Sequence, residues 1–341
     1  MHEDKEKNIS MHLFTNVEIN KISPQLDYHD SLLLMGSCFA TEIGIRLQEA
    51  KMQCRLNPFG VLYNPLSIAS SLHTLLENKY PTEDNFIFHE GLWQSLSFHG
   101  DFSAPTKEGL KKNIQHSLDA CKDVLKQVSY LLVTFGTAYI YEWKETGEVV
   151  ANCHKLPESC FNRRRLKVSE IVDTYKVLLQ DIWQVNSTMR VMFTVSPIRH
   201  VRDGLHENQL SKATLLLAID QLKQMFPGKI LYFPAYELLM DELRDYRFYA
   251  EDLVHPSHVA VDFVWQRFSE YCFSQDALMT MKSVKEIKIM MEHRPLHPES
   301  EEYHRFLHQI LLKIETLSEK YPYFDFDKEK ESCLTRLNRL Q

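Results

Sequence analysis

The chain has 341 residues, enough for one large α/β domain or two small ones, and its 44% hydrophobic and 25% charged content matches a globular protein with a sizeable core. A formal net charge of −7 argues against a general polyanion binder, and sparse Gly and Pro (10 and 13) argue against a disordered or repetitive chain. No run approaches the ~20 apolar residues of a membrane span, and the start, MHEDKEKNIS, lacks the pattern of a secretion signal. The expectation is a cytoplasmic protein with no membrane or nucleic-acid partner.

Residues 31–35 read as a buried strand ending at Gly36-Ser37, and residues 40–50 as a helix with Ala40, Ile43 and Leu47 at helical spacing. A second strand is expected at 52–56 and a helix at 64–76. Residues 86–99 alternate aromatics about Glu90-Gly91, the pattern of an inserted hairpin. A helix over 109–126 leads to a strand at 130–134, which stops at Phe135-Gly136-Thr137. Residues 139–143 and 148–151 flank Glu145-Thr146-Gly147 as a second hairpin. A helix at 168–185, a strand at 190–195 ending at Ser196-Pro197, a helix at 208–226 and a strand at 230–233 follow. His255-Pro256 opens a helix to about Cys272, with Pro256 suited to a first turn. Beyond about Ala277 the texture becomes charged and amphipathic, giving helices at 279–292, 301–321 and 328–340. This appendage is expected to cover a face of the core, with a lid or an oligomer contact as the alternatives.

Alternating strands and helices predict a doubly wound parallel sheet with helices on both faces, a flavodoxin-like three-layer α/β fold. Sites in such folds lie beyond the carboxyl ends of the strands. Those ends carry Gly36-Ser37, Gly136-Thr137 and Ser196-Pro197. A Gly-Ser after a buried strand can present a nucleophile at a helix N-terminus, where the dipole favours developing negative charge. An N-cap serine has the same signature. Far downstream, Asp252 and His255 stand three apart on a loop entering a helix. There the carboxylate can orient the imidazole and the imidazole can take a serine proton.

With these residues in view the chain resembles a known family. Leu34-Met35-Gly36-Ser37-Cys38-Phe39-Ala40 contains the Gly-Ser-Cys-Phe-Ala string of the GSCFA family, which is similar to the SGNH (GDSL-like) hydrolases. Supporting blocks are Asn57-Pro58-Phe59-Gly60-Val61-Leu62-Tyr63-Asn64-Pro65, Phe135-Gly136-Thr137-Ala138, Asn152-Cys153-His154-Lys155, Thr194-Val195-Ser196-Pro197 and the stretch from Arg244 to Asp252. The resemblance spans about residues 30–270. It implies an SGNH-like domain over 1–275, a helical extension over 276–341, and a serine esterase or acyl-transfer enzyme. Ser37 matches the nucleophile, and Asp252 and His255 its partners. Ser37 and Gly60 match oxyanion donors through their amides. The third block of SGNH enzymes normally supplies an asparagine. Here Thr137 stands in its place. The implied substrate is an ester, such as an O-acylated carbohydrate. A non-catalytic ligand-binding protein on the same fold is the alternative.

Other candidates are weaker. Asn152, His154, Arg199 and His200 could bind substrate, with polar networks and solvated charges as the competing readings. The seven cysteines, without a C-x-x-C pair, are read as reduced packing residues, Cys38 among them. No metal or cofactor is expected, because no second ligand lies near His154 at metal-site spacing. Arg163-Arg164-Arg165 reads as solvated surface, the Arg244–Arg247 segment as an ion-pair network holding the Asp-His loop, and His258 as a helix-surface residue. Phe86, Phe88, Trp93 and Phe98 are read as hairpin packing before an acyl pocket.

Overall fold

The structure is a computed structural model and describes residues 15–338. In chain order the elements are β1 (Ser31–Gly36), α1 (Cys38–Glu49), β2 (Gln53–Leu56), α2 (Pro65–Glu77), β3 (Phe86–His89), β4 (Leu92–Ser95), α3 (Lys107–Asp119), α4 (Val124–Gln127), β5 (Tyr130–Phe135), β6 (Tyr139–Trp143), β7 (Val149–Val150) and β8 (Phe161–Arg165). Then come α5 (Val168–Val185), β9 (Arg190–Val195), α6 (Leu205–Met225), β10 (Ile230–Phe233), α7 (Ala235–Glu237), α8 (His258–Cys272), α9 (Gln275–Glu292), α10 (Glu301–Lys320) and α11 (Asp327–Asn338).

Five strands form one parallel sheet in the order β2-β1-β5-β9-β10. The order reverses between β1 and β5. That reversal is the switch point of a doubly wound sheet, where a crevice opens at the carboxyl edge. The strands read as unbroken apolar runs because both faces are covered, yet they sort their side chains with period two. Leu33, Met35, Leu131, Val133, Val191 and Phe193 enter the core beneath α2, α5 and α6. Leu32, Leu34, Leu132 and Met192 enter a second core beneath α1 and α8. The expected three-layer α/β architecture is what the chain adopts.

The β3–β4 hairpin turns at Glu90-Gly91, both at positive φ, as a two-residue hairpin loop requires. The helix expected over 109–126 breaks into α3 and α4, because Asp123 adopts a left-handed conformation. The second hairpin has a third member. β8 pairs antiparallel with β6 along Phe161–Arg165, a stretch whose three arginines read as solvated surface and for which no strand is expected. Each of those arginines lies in an ion pair, with Asp203, Glu142, Glu170 or Glu207. The helix expected from His255 begins three residues later. Ser257 caps it by accepting from the Ala260 amide, and His258 is its first residue.

The C-terminal helices bury Tyr303, Leu307, Ile310 and Ile314 in the same core as Leu32, Leu34, Ile43 and Leu47. Their polar ties, Lys288 to Glu49 and Lys51 to the Asp325 carbonyl, fall where α1 ends. Helix α1 is twelve residues long, so this contact is roughly 18 Å from its N-terminus. The appendage covers the amino-end side of a sheet face. Positions 339 and 340, expected within the last helix, are outside the described residues.

Candidate active site

The turn from β1 to α1 can be built only on glycine. Gly36 has φ +135, and a Cβ there would lie 2.2 Å from the Thr134 carbonyl oxygen. The Gly36 amide donates to Asn57 Oδ1 (2.9 Å), and Asn57 Nδ2 donates to Thr41 Oγ1 (3.0 Å), so the end of β2 fixes the turn from the side. Ser37 follows in an extended conformation at the N-cap of α1. Asn64, Thr106, Ser257, Ser274 and Ser300 hold the same position in other helices, and each accepts a backbone N–H there. Ser37 does not. Its Oγ is buried, on a residue 1% exposed, and has no hydrogen-bond partner. A capping role therefore does not account for this serine.

Asp252 and His255 meet as expected. One carboxylate oxygen accepts the amides of Val254 and His255 (2.9 Å each), and the other lies 2.6 Å from His255 Nδ1. This geometry holds the carboxyl down at about 2, through the imidazole first and the two amides next. Leu253, between them, sits at φ +57. Both side chains are about half exposed. Ser37 Oγ has no partner, so it is not hydrogen-bonded to His255. The structure assembles two members of the expected triad and leaves the third apart.

The expected oxyanion donors are engaged elsewhere in this conformation. The Ser37 amide donates to Thr134 O (3.2 Å), that of Gly60 to Asn57 O (2.7 Å) and that of Thr137 to Tyr63 O (3.0 Å). Thr137 Oγ1 pairs with Ser211 Oγ (3.1 Å) and accepts from the Tyr139 amide. The reason is the tightness of the carboxyl edge: carbonyls of β5 and of the loop after β2 take the Ser37 and Thr137 amides, and a turn within its own loop takes the Gly60 amide. An open oxyanion pocket is thus not preformed. Gly60, at φ +75, is required for a second reason: a Cβ would strike His99 Cβ at 2.2 Å.

Of the four candidate substrate-binding residues, two lie beside the site. Arg199 Nη2 donates to Leu253 O (2.5 Å), and its guanidinium rests 4.7 Å from the Tyr249 ring centre. It therefore clamps the Asp252–His255 loop to the end of β9. The Arg244–Arg247 network expected in that role is local, with Asp245 capping its own turn at Arg247. With Arg199→Ala, hydrogen exchange at the Val254 and His255 amides is expected to quicken about tenfold, the worth of one such bond, with little change in Tm. Unchanged exchange would show that the loop holds itself.

His200 meets the Tyr63 ring edge-on at 6.1 Å, and burial, then the charge of Lys212, pushes its imidazole down to about 4. Asn152 and His154 belong to the inserted layer instead. Asn152 Oδ1 accepts the His154 amide, and His154 Nε2 bonds Ser95 O (2.7 Å). Phe98 stacks on Phe59 in the core, Phe86 and Trp93 pack against it, and Phe88 is exposed. Cys38 Sγ lies 3.6 Å from the Tyr63 hydroxyl. Sequence reasoning gave no role to Asn57, Tyr63, Ser211 or Lys212. The signal for Lys212 was present: it falls on the apolar stripe of α6 with Leu215, Ile219 and Leu222.

Fold and site together define a doubly wound α/β protein with an uncapping serine at the switch point and an Asp–His pair on the loop before the last core helix. The chain belongs to the GSCFA family: the family's model matches residues 31–268, and that of the GSCFA domain protein, C-terminal domain, matches 284–339. A family 3 carbohydrate esterase of Clostridium thermocellum is a similar solved structure, at 10% identity and a TM-score of 0.33, covering 75% of this chain and 98% of that one. No curated protein matches the chain. Among the described residues, no helix is long and apolar enough to cross a membrane, and no three His, Cys, Asp or Glu side chains gather as metal ligands.

Proposed function

We propose that this protein is a serine-dependent esterase or O-acyl-transfer enzyme that works through an acyl-enzyme on Ser37. One observation carries the reading. A serine at the N-terminus of the first core helix leaves its hydroxyl unbonded, in a fold whose loop before α8 holds an Asp–His pair at 2.6 Å. Ser37 Oγ attacks the ester carbonyl carbon while His255 Nε2 takes its proton. The tetrahedral oxyanion collapses, the C–O bond to the leaving alcohol breaks, and His255 returns the proton to that alcohol. Water or a second alcohol, deprotonated by His255, then resolves the acyl-enzyme. Asp252 keeps the imidazole in the needed tautomer and stabilises its cation. Turnover requires the ends of β1 and β5 and the loop after β2 to part, which frees the Ser37 and Thr137 amides and brings Ser37 to His255, and the Asn57–Gly60 turn to open for the Gly60 amide. An ester on a carbohydrate is the substrate class that the likeness to SGNH enzymes supports.

A second reading has its own observation. The buried Ser37 hydroxyl and the engaged amides also suit a cleft that binds a ligand without reacting. A fluorophosphonate probe separates the two, because it phosphonylates only an activated serine. Labelling at Ser37 that vanishes in His255→Ala is the expected result. A folded protein that stays unlabelled leaves the binding reading standing and ends the catalytic one.

A further inference from the structure

Lys212 is an anomalous charge among the described residues. It is 1% exposed, and its Nζ donates to two backbone carbonyls, Gly136 O and Ser196 O, each at 2.7 Å. No carboxylate among the described residues pairs with it. Burying an ammonium without a counter-ion is costly, and a chain that does so gains only if the charge serves a purpose. Burial pushes this amine down to about 7.

Its position indicates the purpose. Phe135 pairs with Val195 at the ends of β5 and β9, so Gly136 and Ser196 are the next residues out on neighbouring strands. Gly36 pairs with Thr134, which puts Ser37 on the adjoining strand at the same edge. Neighbouring strands lie about 4.8 Å apart, so the ammonium is within roughly 10 Å of Ser37. The residue before it, Ser211, accepts the Ala138 amide (2.8 Å) and pairs with Thr137 Oγ1. Ser211 and Lys212 together grip the whole Gly136–Ala138 loop. The other groups facing the amine are His200 from the loop after β9 and the Tyr236 ring, 5.7 Å away, from α7. Asp203 and Arg163 act on His200 from beyond.

We propose that Lys212 is a positioning residue for the reaction at Ser37. Its ammonium fixes the loops that end β5 and β9, and supplies buried positive charge toward the negative charge that develops on the substrate. This rests on the serine-hydrolase reading. The charge polarises the Gly136–Thr137 peptide through its carbonyl, making the Thr137 amide a stronger donor.

The test is the rate of fluorophosphonate labelling from pH 5 to 9, per folded molecule, for wild type, Lys212→Met and Lys212→Arg. The wild-type rate is expected to decline above about pH 7 as the amine loses its proton. Lys212→Met is expected to label about tenfold more slowly at pH 6, as a single screened charge at this range implies, and to lack the decline. Lys212→Arg keeps the charge and lacks the decline as well. Profiles of the same shape in wild type and Lys212→Met overturn the inference and leave the serine reading intact. No labelling of wild type at any pH overturns the serine reading, and the inference with it. If the variants do not fold, NMR titration of the Lys212 side chain in wild type decides: a midpoint matching the decline supports the role, and a side chain still charged at pH 9 removes it.

Discussion

Ser37→Ala is expected to abolish fluorophosphonate labelling and to lower turnover of any ester substrate by on the order of 10⁴-fold or more. It should do so without cost to the fold, and this pairing is what makes the experiment informative. The Ser37 hydroxyl is buried and makes no hydrogen bond. Removing an unsatisfied buried polar group is neutral or stabilising, by up to about 1 kcal/mol. Ser257 occupies the same kind of position on α8 but accepts the Ala260 amide. There the change to Ala should cost about 0.5–2 kcal/mol, the ordinary worth of a cap. Thermal unfolding of the two variants side by side reads the difference. A Ser37→Ala protein that loses stability as Ser257→Ala does would mean that this serine is a structural cap after all.

Gly36→Ala is expected to have the largest effect on folding. The new methyl would lie 2.2 Å from Thr134 O and 2.9 Å from Thr134 N, both backbone atoms of the neighbouring strand. Neither can retreat without breaking the β1–β5 ladder, and φ +135 is itself hostile to a side chain. A loss above about 4 kcal/mol, or insoluble protein, follows. Gly91 provides the comparison. It also has positive φ, but nothing lies within 4 Å of the position its Cβ would take, so Gly91→Ala should cost only about 1 kcal/mol. Denaturant unfolding distinguishes them, and a Gly36→Ala protein within about 1 kcal/mol of wild type would show that the turn can be remade.

The sheet was legible because burial on both faces writes itself as continuous apolar strands. Leu32, Leu33, Leu34 and Met35 could be read as a strand, although not which face each would take. β8 escaped because Arg163, Arg164 and Arg165 project from an edge strand whose partners are carboxylates and tyrosines rather than a core. The break before α4 depends on one left-handed residue, Asp123, and no periodicity announces such a residue. For the site, Asp252 and His255 were accessible because they are three apart on one loop. The union of Gly36 with Asn57, and of Lys212 with Gly136 and Ser196, joins residues far apart in the chain. Single-chain patterns carry no record of such contacts. The state of the oxyanion amides was likewise out of reach, since a backbone N–H has no signature of its own.

The β1–α1 turn is not a property of its own residues. Its backbone is set on one side by the Asn57 side chain, from the end of β2, and on the other by the Thr134 carbonyl, from β5. A protein engineer who transplanted only the loop from Gly36 to Ala40 into another sheet would carry the letters without the geometry. The smallest portable unit is a composite of three discontinuous segments, and a recombination breakpoint between β2 and β5 severs it. Substitutions at Asn57, whose side chain makes its contact, should therefore be tolerated only as matched changes with the β1–α1 turn, whereas Thr134 acts through its backbone carbonyl and should accept other side chains.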